Sequence, residues 1–190
     1  MTQTLPADYF ELFGIARGLD VDEASMQRRF YELSRQFHPD KYAGGSAEEQ
    51  QYALDATAQI NDAWRVFRDP VKRAEYLLKL EGFDIGEQRS KDVPPELLEE
   101  VFELNMMLEE LREGDESTRP RLEEERGRFV ELLATVDSDL RNEFRRYDRE
   151  RDSSVLSAIR GILNRRRYIQ NLVNEVERAL AGEGPALAHQ

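Results

Sequence analysis

Residues 35–46 read RQFHPDKYAGGS, and Pro39 in the middle of this stretch cannot continue a helix. It lacks the N–H donor, and its ring collides with the preceding turn. Helical patterns lie on both sides. Upstream, Met26, Phe30, Leu33 and Phe37 fall at i, i+4, i+7 and i+11, one face of a helix that runs to Phe37. Downstream, past two glycines, Ala53, Thr57, Ile60, Trp64 and Phe67 keep similar spacing over about residues 47–67. Two amphipathic helices with so short a connection return antiparallel. His38-Pro39-Asp40 therefore sits at the tip of a helical hairpin, with Trp64 and Phe67 expected in its core.

Outside this hairpin the same periodicity recurs and no long alternation of apolar and polar residues appears, so the chain reads as all-α. A short first helix covers about residues 8–13 and stops at Gly14. The stretch DVDE, residues 20–23, opens the second helix, with Asp20 as the cap and Glu23 reaching back to complete a capping box. Asp69 followed by Pro70 starts a further helix to Leu80, ended by Gly82. Residues 84–95, DIGEQRSKDVPP, carry turn formers and a proline pair and read as a linker.

Three longer helices follow, at about 96–113, 119–149 and 153–181, separated by Gly114 and by the charged run RERD. Their apolar stripes are Leu97, Val101, Leu104, Leu108 and Leu111; then Leu122, Phe129, Leu133, Val136, Leu140, Phe144 and Tyr147; then Val155, Ile159, Ile162, Ile169, Val173, Val176 and Leu180. Spacings of three and four are those of an antiparallel bundle. The expected division is an N-terminal domain over 1–83, a linker over 84–95, a three-helix domain over 96–182 and a flexible tail over 183–190.

Composition narrows the chemistry. Hydrophobic residues make up 39% of the 190, enough for packed cores. The formal net charge of −12 argues against a nucleic-acid backbone or an anionic membrane as partner and favours basic protein surfaces. No cysteine is present, which excludes disulfides, thiolate metal sites and cysteine nucleophiles. No run of eighteen apolar residues exists, and the start MTQTLPADYFE lacks the features of a secretory or transit signal. A cytoplasmic protein without a cofactor is expected.

The tripeptide is poorly equipped for catalysis. A nucleophilic triad needs a hydroxyl or thiol beside a histidine base, and the only other histidine is His189, next to the C-terminus. His38 with Asp40 supplies two metal ligands at most. Neither catalytic nor metal-binding residues are expected, and a plain loop turn remains an alternative for three residues taken alone.

The helix at 96–113 carries more apolar surface than its stripe requires. Leu98, Phe102 and Met106 form a second line, rotated about 100 degrees from the first by helix geometry. Residues 96–125 hold 12 acidic and 3 basic residues, and Glu99, Glu103, Glu109 and Glu110 rim that line. An apolar strip with a charged rim fits a protein-binding patch. Packing against the N-terminal domain, or a wider bundle core, would also account for it.

A helical hairpin with His-Pro-Asp at its tip resembles the J-domain. In that family the tripeptide docks on a DnaK-type chaperone and triggers ATP hydrolysis there, so the resemblance implies that this chain is no enzyme itself. The segments YFELFGI, RRFYELSRQFHPDKYAGGSAEEQ and INDAWRVFRDPVKRAEYLLKLEGFD narrow the resemblance to the HscB family of iron-sulfur cluster assembly. DPVKRAEYLL discriminates, because general J-domains do not usually continue that way. The resemblance implies a J-domain joined to a three-helix domain in an L shape, with a DnaK-type chaperone and the iron-sulfur scaffold protein as partners. It assigns His38, Pro39, Asp40, Arg28, Arg29, Arg35 and Lys41 to the chaperone. Leu98, Phe102, Glu103, Met106 and Tyr168 go to the scaffold, with Met106 standing where a more polar residue is usual.

Departures from the general J-protein pattern are also informative. Its basic pair is replaced by Tyr31 and Glu32, and no Gly/Phe-rich segment or cysteine-rich zinc module follows. The N-terminal cysteine-bearing extension of some eukaryotic relatives is missing too, which favours a bacterial-type protein. The rival readings are a J-protein with another client, a metal-dependent enzyme using His38 and Asp40, and a purely structural helical protein.

Overall fold

A computed structural model describes residues 5–83 and 94–182; most of the expected linker and the whole expected tail, including His189, lie outside them. Every regular element among the described residues is helical: α1 (Tyr9–Phe13), α2 (Glu23–Gln36), α3 (Ala47–Phe67), α4 (Pro70–Leu80), α5 (Leu98–Arg112), α6 (Arg119–Glu150) and α7 (Ser153–Leu180), with single 3-10 turns at Pro39–Tyr42, Pro95–Leu97 and Glu116–Thr118. The described residues up to Phe83, together with Phe144–Asp152, form one compact unit, and residues 94–143 with 153–182 form another. This division is not contiguous along the chain. The last turns of α6 belong to the first unit, a feature that the stripe through Phe144 and Tyr147 did not reveal.

In the first unit α2 and α3 form the hairpin. Phe30 stacks on Trp64 at 5.0 Å and Phe37 meets Tyr52 edge-on at 5.9 Å, so partners run in opposite directions along the two helices. Met26 and Leu33 of α2 and Ala53, Ile60 and Phe67 of α3 are buried, while Phe30, Phe37, Thr57 and Trp64 are half-buried. Ala56 and Ala63 are buried as well, small residues that allow close approach. Against this pair α1 packs Phe10 and Phe13 onto the Phe67 ring at 4.9 and 5.1 Å. It is pinned to α4 by Tyr9, whose ring stacks on Tyr76 at 4.6 Å and whose N–H donates to the Tyr76 hydroxyl at 2.8 Å.

Helix starts follow side-chain capping. Asp69 caps α4 ahead of Pro70, as expected. The cap of α2 is Asp22, not Asp20: its carboxylate accepts the N–H groups of Ala24 and Ser25. The Ser25 hydroxyl, more than these N–H groups, holds the Asp22 carboxyl below its usual range, against a smaller opposing effect of desolvation.

Asp20 is occupied otherwise. Its N–H, with that of the fully buried Leu19, donates to the Asp148 carboxylate of α6 at 2.8 to 3.1 Å. A Cβ on Gly18 would stand 3.3 Å from those carboxylate oxygens, so glycine lets the loop come this close. The Leu19 carbonyl in turn accepts from Arg73 Nε at 2.9 Å, and Arg73 also donates to the Phe67 carbonyl. Arg73 is only 5% exposed. Burial pushes its guanidinium below the ordinary value, partly offset by Glu23, Asp20, Asp148 and Asp69.

Removing the Asp148 carboxylate leaves the buried Leu19 N–H without its acceptor, at a cost of about 1–3 kcal/mol. Asp148→Ala is therefore expected to lower the urea midpoint of the first unit, followed through the fluorescence of its single tryptophan, Trp64. An unchanged midpoint would mean that the loop is held without Asp148.

The second unit is a three-helix bundle. Its core joins Leu97 of the preceding 3-10 turn and Val101, Leu104, Leu108 and Leu111 of α5 to Leu122, Phe129, Leu133 and Val136 of α6 and to Ile169, Val173 and Val176 of α7. Met107 and Leu172 add to it at positions outside the expected stripes. Ion pairs and one carbonyl contact set the register. Arg119 donates to the Leu180 carbonyl at 2.7 Å, Arg126 lies 3.9 Å from Glu177, and Arg166 bonds Asp137 at 2.6 Å, so α6 and α7 are antiparallel. Arg165 to Glu96 at 3.4 Å and Arg112 to Glu175 at 3.6 Å make α5 and α7 parallel.

Candidate functional site

The hairpin tip is exposed but tightly specified. Phe37 closes α2 through its N–H to the Leu33 carbonyl at 2.9 Å, and Thr57 Oγ1 on α3 donates to the Phe37 carbonyl at 3.1 Å. His38 then turns extended, with φ −60° and ψ 127°, and Pro39 begins the 3-10 turn. Beyond it, Gln50 of α3 donates to the carbonyls of Ala43 and Gly45 at 3.3 and 3.0 Å. Ser46 and Glu49 form a capping box at the start of α3. That motif is readable in the sequence as SAEE, residues 46–49, a start signal that the apolar spacing alone does not carry. A Cβ on Gly45 would lie 2.7 Å from the box carboxylate of Glu49, which explains glycine there.

His38 Nδ1 accepts the Asp40 N–H at 3.3 Å and stands 3.5 Å from Asp40 Oδ2. An Nδ1 that accepts a backbone N–H carries no hydrogen of its own in the neutral ring, so the proton belongs to Nε2. No described residue accepts from that Nε2–H. The His38 side chain is 57% exposed and that of Asp40 90%. The tip thus offers a directed donor and a free carboxylate, held in place from behind by α3. Among the described residues no group of three or more His, Asp or Glu is placed to hold a metal ion.

The arginines differ in how far the fold uses them. Arg29 Nε donates to the Phe13 carbonyl at 2.9 Å and its Nη1 pairs with Glu32 at 3.2 Å, so this residue ties α2 to the end of α1. Among the described residues Arg28 bonds Ser25 Oγ, at 2.6 Å, and its charge helps to hold the Asp22 carboxyl down. The side chains of Arg35 and Lys41 form no ion pair with any described residue. Residues 26–41 carry Arg28, Arg29, Arg35 and Lys41 against Glu32 and Asp40, a local excess of two positive charges in a chain of net −12.

In the second unit the two apolar lines of α5 separate cleanly. The line from Leu97 to Leu111 is at most 9% exposed, whereas Leu98, Phe102 and Met106 are 56%, 65% and 52% exposed. The surplus line therefore does not widen the bundle core. Glu103 beside it has no described partner, but Glu109 pairs with Arg112, and Glu110 accepts from Thr118 and lies 3.9 Å from Arg121, so these two serve the bundle. Tyr168 of α7 is half-buried against the core cluster. Burial, then the nearby Glu175, raises its phenol above the ordinary value. It stands one turn beyond Arg165, whose partner Glu96 lies two residues before Leu98, the first residue of the exposed line.

A hairpin bearing a rigid, exposed His-Pro-Asp tip belongs to the J-domain proteins, and the DnaJ domain family matches residues 8–76. The family described as the HSCB C-terminal oligomerisation domain matches residues 93–177. The structure is similar to that of the chaperone HscB from Vibrio cholerae, with 29% identity and a TM-score of 0.70, covering 92% of this chain and 99% of that one. It is also similar to the human co-chaperone protein HscB, with 26% identity and a TM-score of 0.69, covering 93% and 83%. The chain belongs to the HscB family of J-domain co-chaperones. Among the described residues no helix is long and apolar enough to cross a membrane.

Proposed function

We propose that this co-chaperone carries the iron-sulfur scaffold protein to a DnaK-type chaperone and stimulates that chaperone's ATPase. The observation that carries the reading is that one chain exposes both a rigid His-Pro-Asp tip and an apolar row, Leu98, Phe102 and Met106, that its own bundle leaves in water. His38, Pro39 and Asp40 act on the chaperone, with Arg28, Arg35 and Lys41 steering an acidic surface toward them; such steering weakens with salt. Arg29 contributes by fixing α2 against α1. Leu98, Phe102, Glu103 and Met106 receive the scaffold, with Tyr168 at the border of that patch. Chemistry takes place on the chaperone, and this chain contributes docking and proximity: tethering the client raises its local concentration at the chaperone.

The ATPase rate of the cognate chaperone, measured with this protein and with or without the scaffold, tests the reading. Stimulation that rises synergistically on adding scaffold is expected. Stimulation indifferent to the scaffold would leave a J-protein with another client, and none at all would refute the docking role.

A further inference from the structure

The charges of α2 have a role in that reading, but Tyr31 does not. Its side chain is among the large hydrophobic groups left in water, 52% exposed, and its hydroxyl bonds no described residue. The hairpin core does not need it, since Met26 and Leu33 are the buried residues of α2. The ring is nevertheless held. It lies 5.5 Å from Phe30, which stacks on Trp64 at 5.0 Å and 17°, so an aromatic row runs outward from the half-buried Trp64 to the surface. Arg28 precedes Tyr31 by three residues and Arg35 follows it by four, spacings that put all three on one face of a helix.

We infer that Tyr31 is the apolar anchor of the α2 face and sets which chaperone this chain recognises, namely a DnaK-type chaperone whose docking surface has an apolar recess bordered by carboxylates. This rests on the function proposed above. Charge complementarity argues for that occupant: a chain of net −12 repels an acidic partner except where it shows an excess of positive charge, and that excess flanks Tyr31. A pre-oriented tyrosine between guanidinium groups has the composition of an interface hot spot. The division of labour follows from the physics. Flanking charges raise the encounter rate and respond to salt, whereas the ring lengthens residence and does not.

The test titrates the chaperone of the iron-sulfur system with the full-length protein and its variants, at low and high salt. Tyr31→Ala is expected to raise the concentration for half-maximal ATPase stimulation about tenfold, with the wild-type rate still reached at saturation. Tyr31→Phe, which keeps the ring, stays within about twofold of the wild type. The Tyr31→Ala effect persists at high salt, whereas that of Arg35→Ala shrinks. A Tyr31→Ala titration that superimposes on the wild type, or a loss confined to the saturating rate, overturns the inference while the proposed function stands. Absence of stimulation by the wild type overturns that function and this inference with it.

Discussion

His38→Gln should abolish stimulation of the chaperone ATPase while the protein stays folded and still binds the scaffold. The imidazole spreads its two functions across a rigid ring, with Nδ1 accepting the Asp40 N–H at 3.3 Å and Nε2–H left to donate outward. Glutamine places an acceptor and a donor on one carbon at the end of a flexible chain, so it cannot do both in the same geometry. It also loses the pre-organisation that spares a docking group the entropy of ordering at the interface. The fold is insulated from the change, because the His38 side chain is 57% exposed and Asp40, whose N–H it accepts, is itself an exposed residue of the turn. Steady-state ATPase assays, with circular dichroism and a scaffold-binding measurement as controls, check this. Full stimulation by the variant would remove His38 from the docking surface.

Truncating Leu98 and Phe102 together to alanine is expected to weaken scaffold binding by about 2–4 kcal/mol, the range of paired apolar anchors at the centre of an interface. Side chains 56% and 65% exposed contribute little to the bundle, and alanine is a better helix former than either residue. Helicity and the unfolding midpoint should therefore hold. Calorimetric titration of the scaffold into the double variant measures the loss. If binding is untouched, the exposed row serves some other client; if the midpoint falls with it, the row is part of the fold.

Much of this architecture was legible because helix formation and amphipathic burial are local in sequence. The expected 47–67 helix is α3, the Asp69-Pro70 start of α4 is where capping chemistry places it, and the stripes of the last three helices are buried apart from Ile162 and Leu180, which are half-buried. The separation of Leu98, Phe102 and Met106 from the core line also followed from rotation about a helix axis. What went astray involved distant partners. Asp20 and Asp22 are alike as candidate caps, and the choice between them goes with Asp148, 128 residues away, which takes the Asp20 N–H and leaves Asp22 to cap. Nothing in the local sequence marks Arg73, which is buried where two backbone carbonyls, of Leu19 and Phe67, converge on it. Arg29 looked equivalent to Arg28 until the Phe13 carbonyl distinguished them.

From the sequence alone came the all-helical class, the hairpin with His-Pro-Asp at its tip and the surplus apolar line on α5, all of them consequences of side-chain periodicity and of the backbone rules for proline. Only the tertiary structure decided which polar groups the fold consumes and which it leaves to a partner. The Asp148 carboxylate and the guanidiniums of Arg73 and Arg29 satisfy backbone groups from other elements, whereas His38, Asp40, Arg35 and Tyr31 remain available at the surface. The physical reason is that a buried N–H or carbonyl must find a partner wherever the chain brings one, and that partner's position along the sequence carries no local signal.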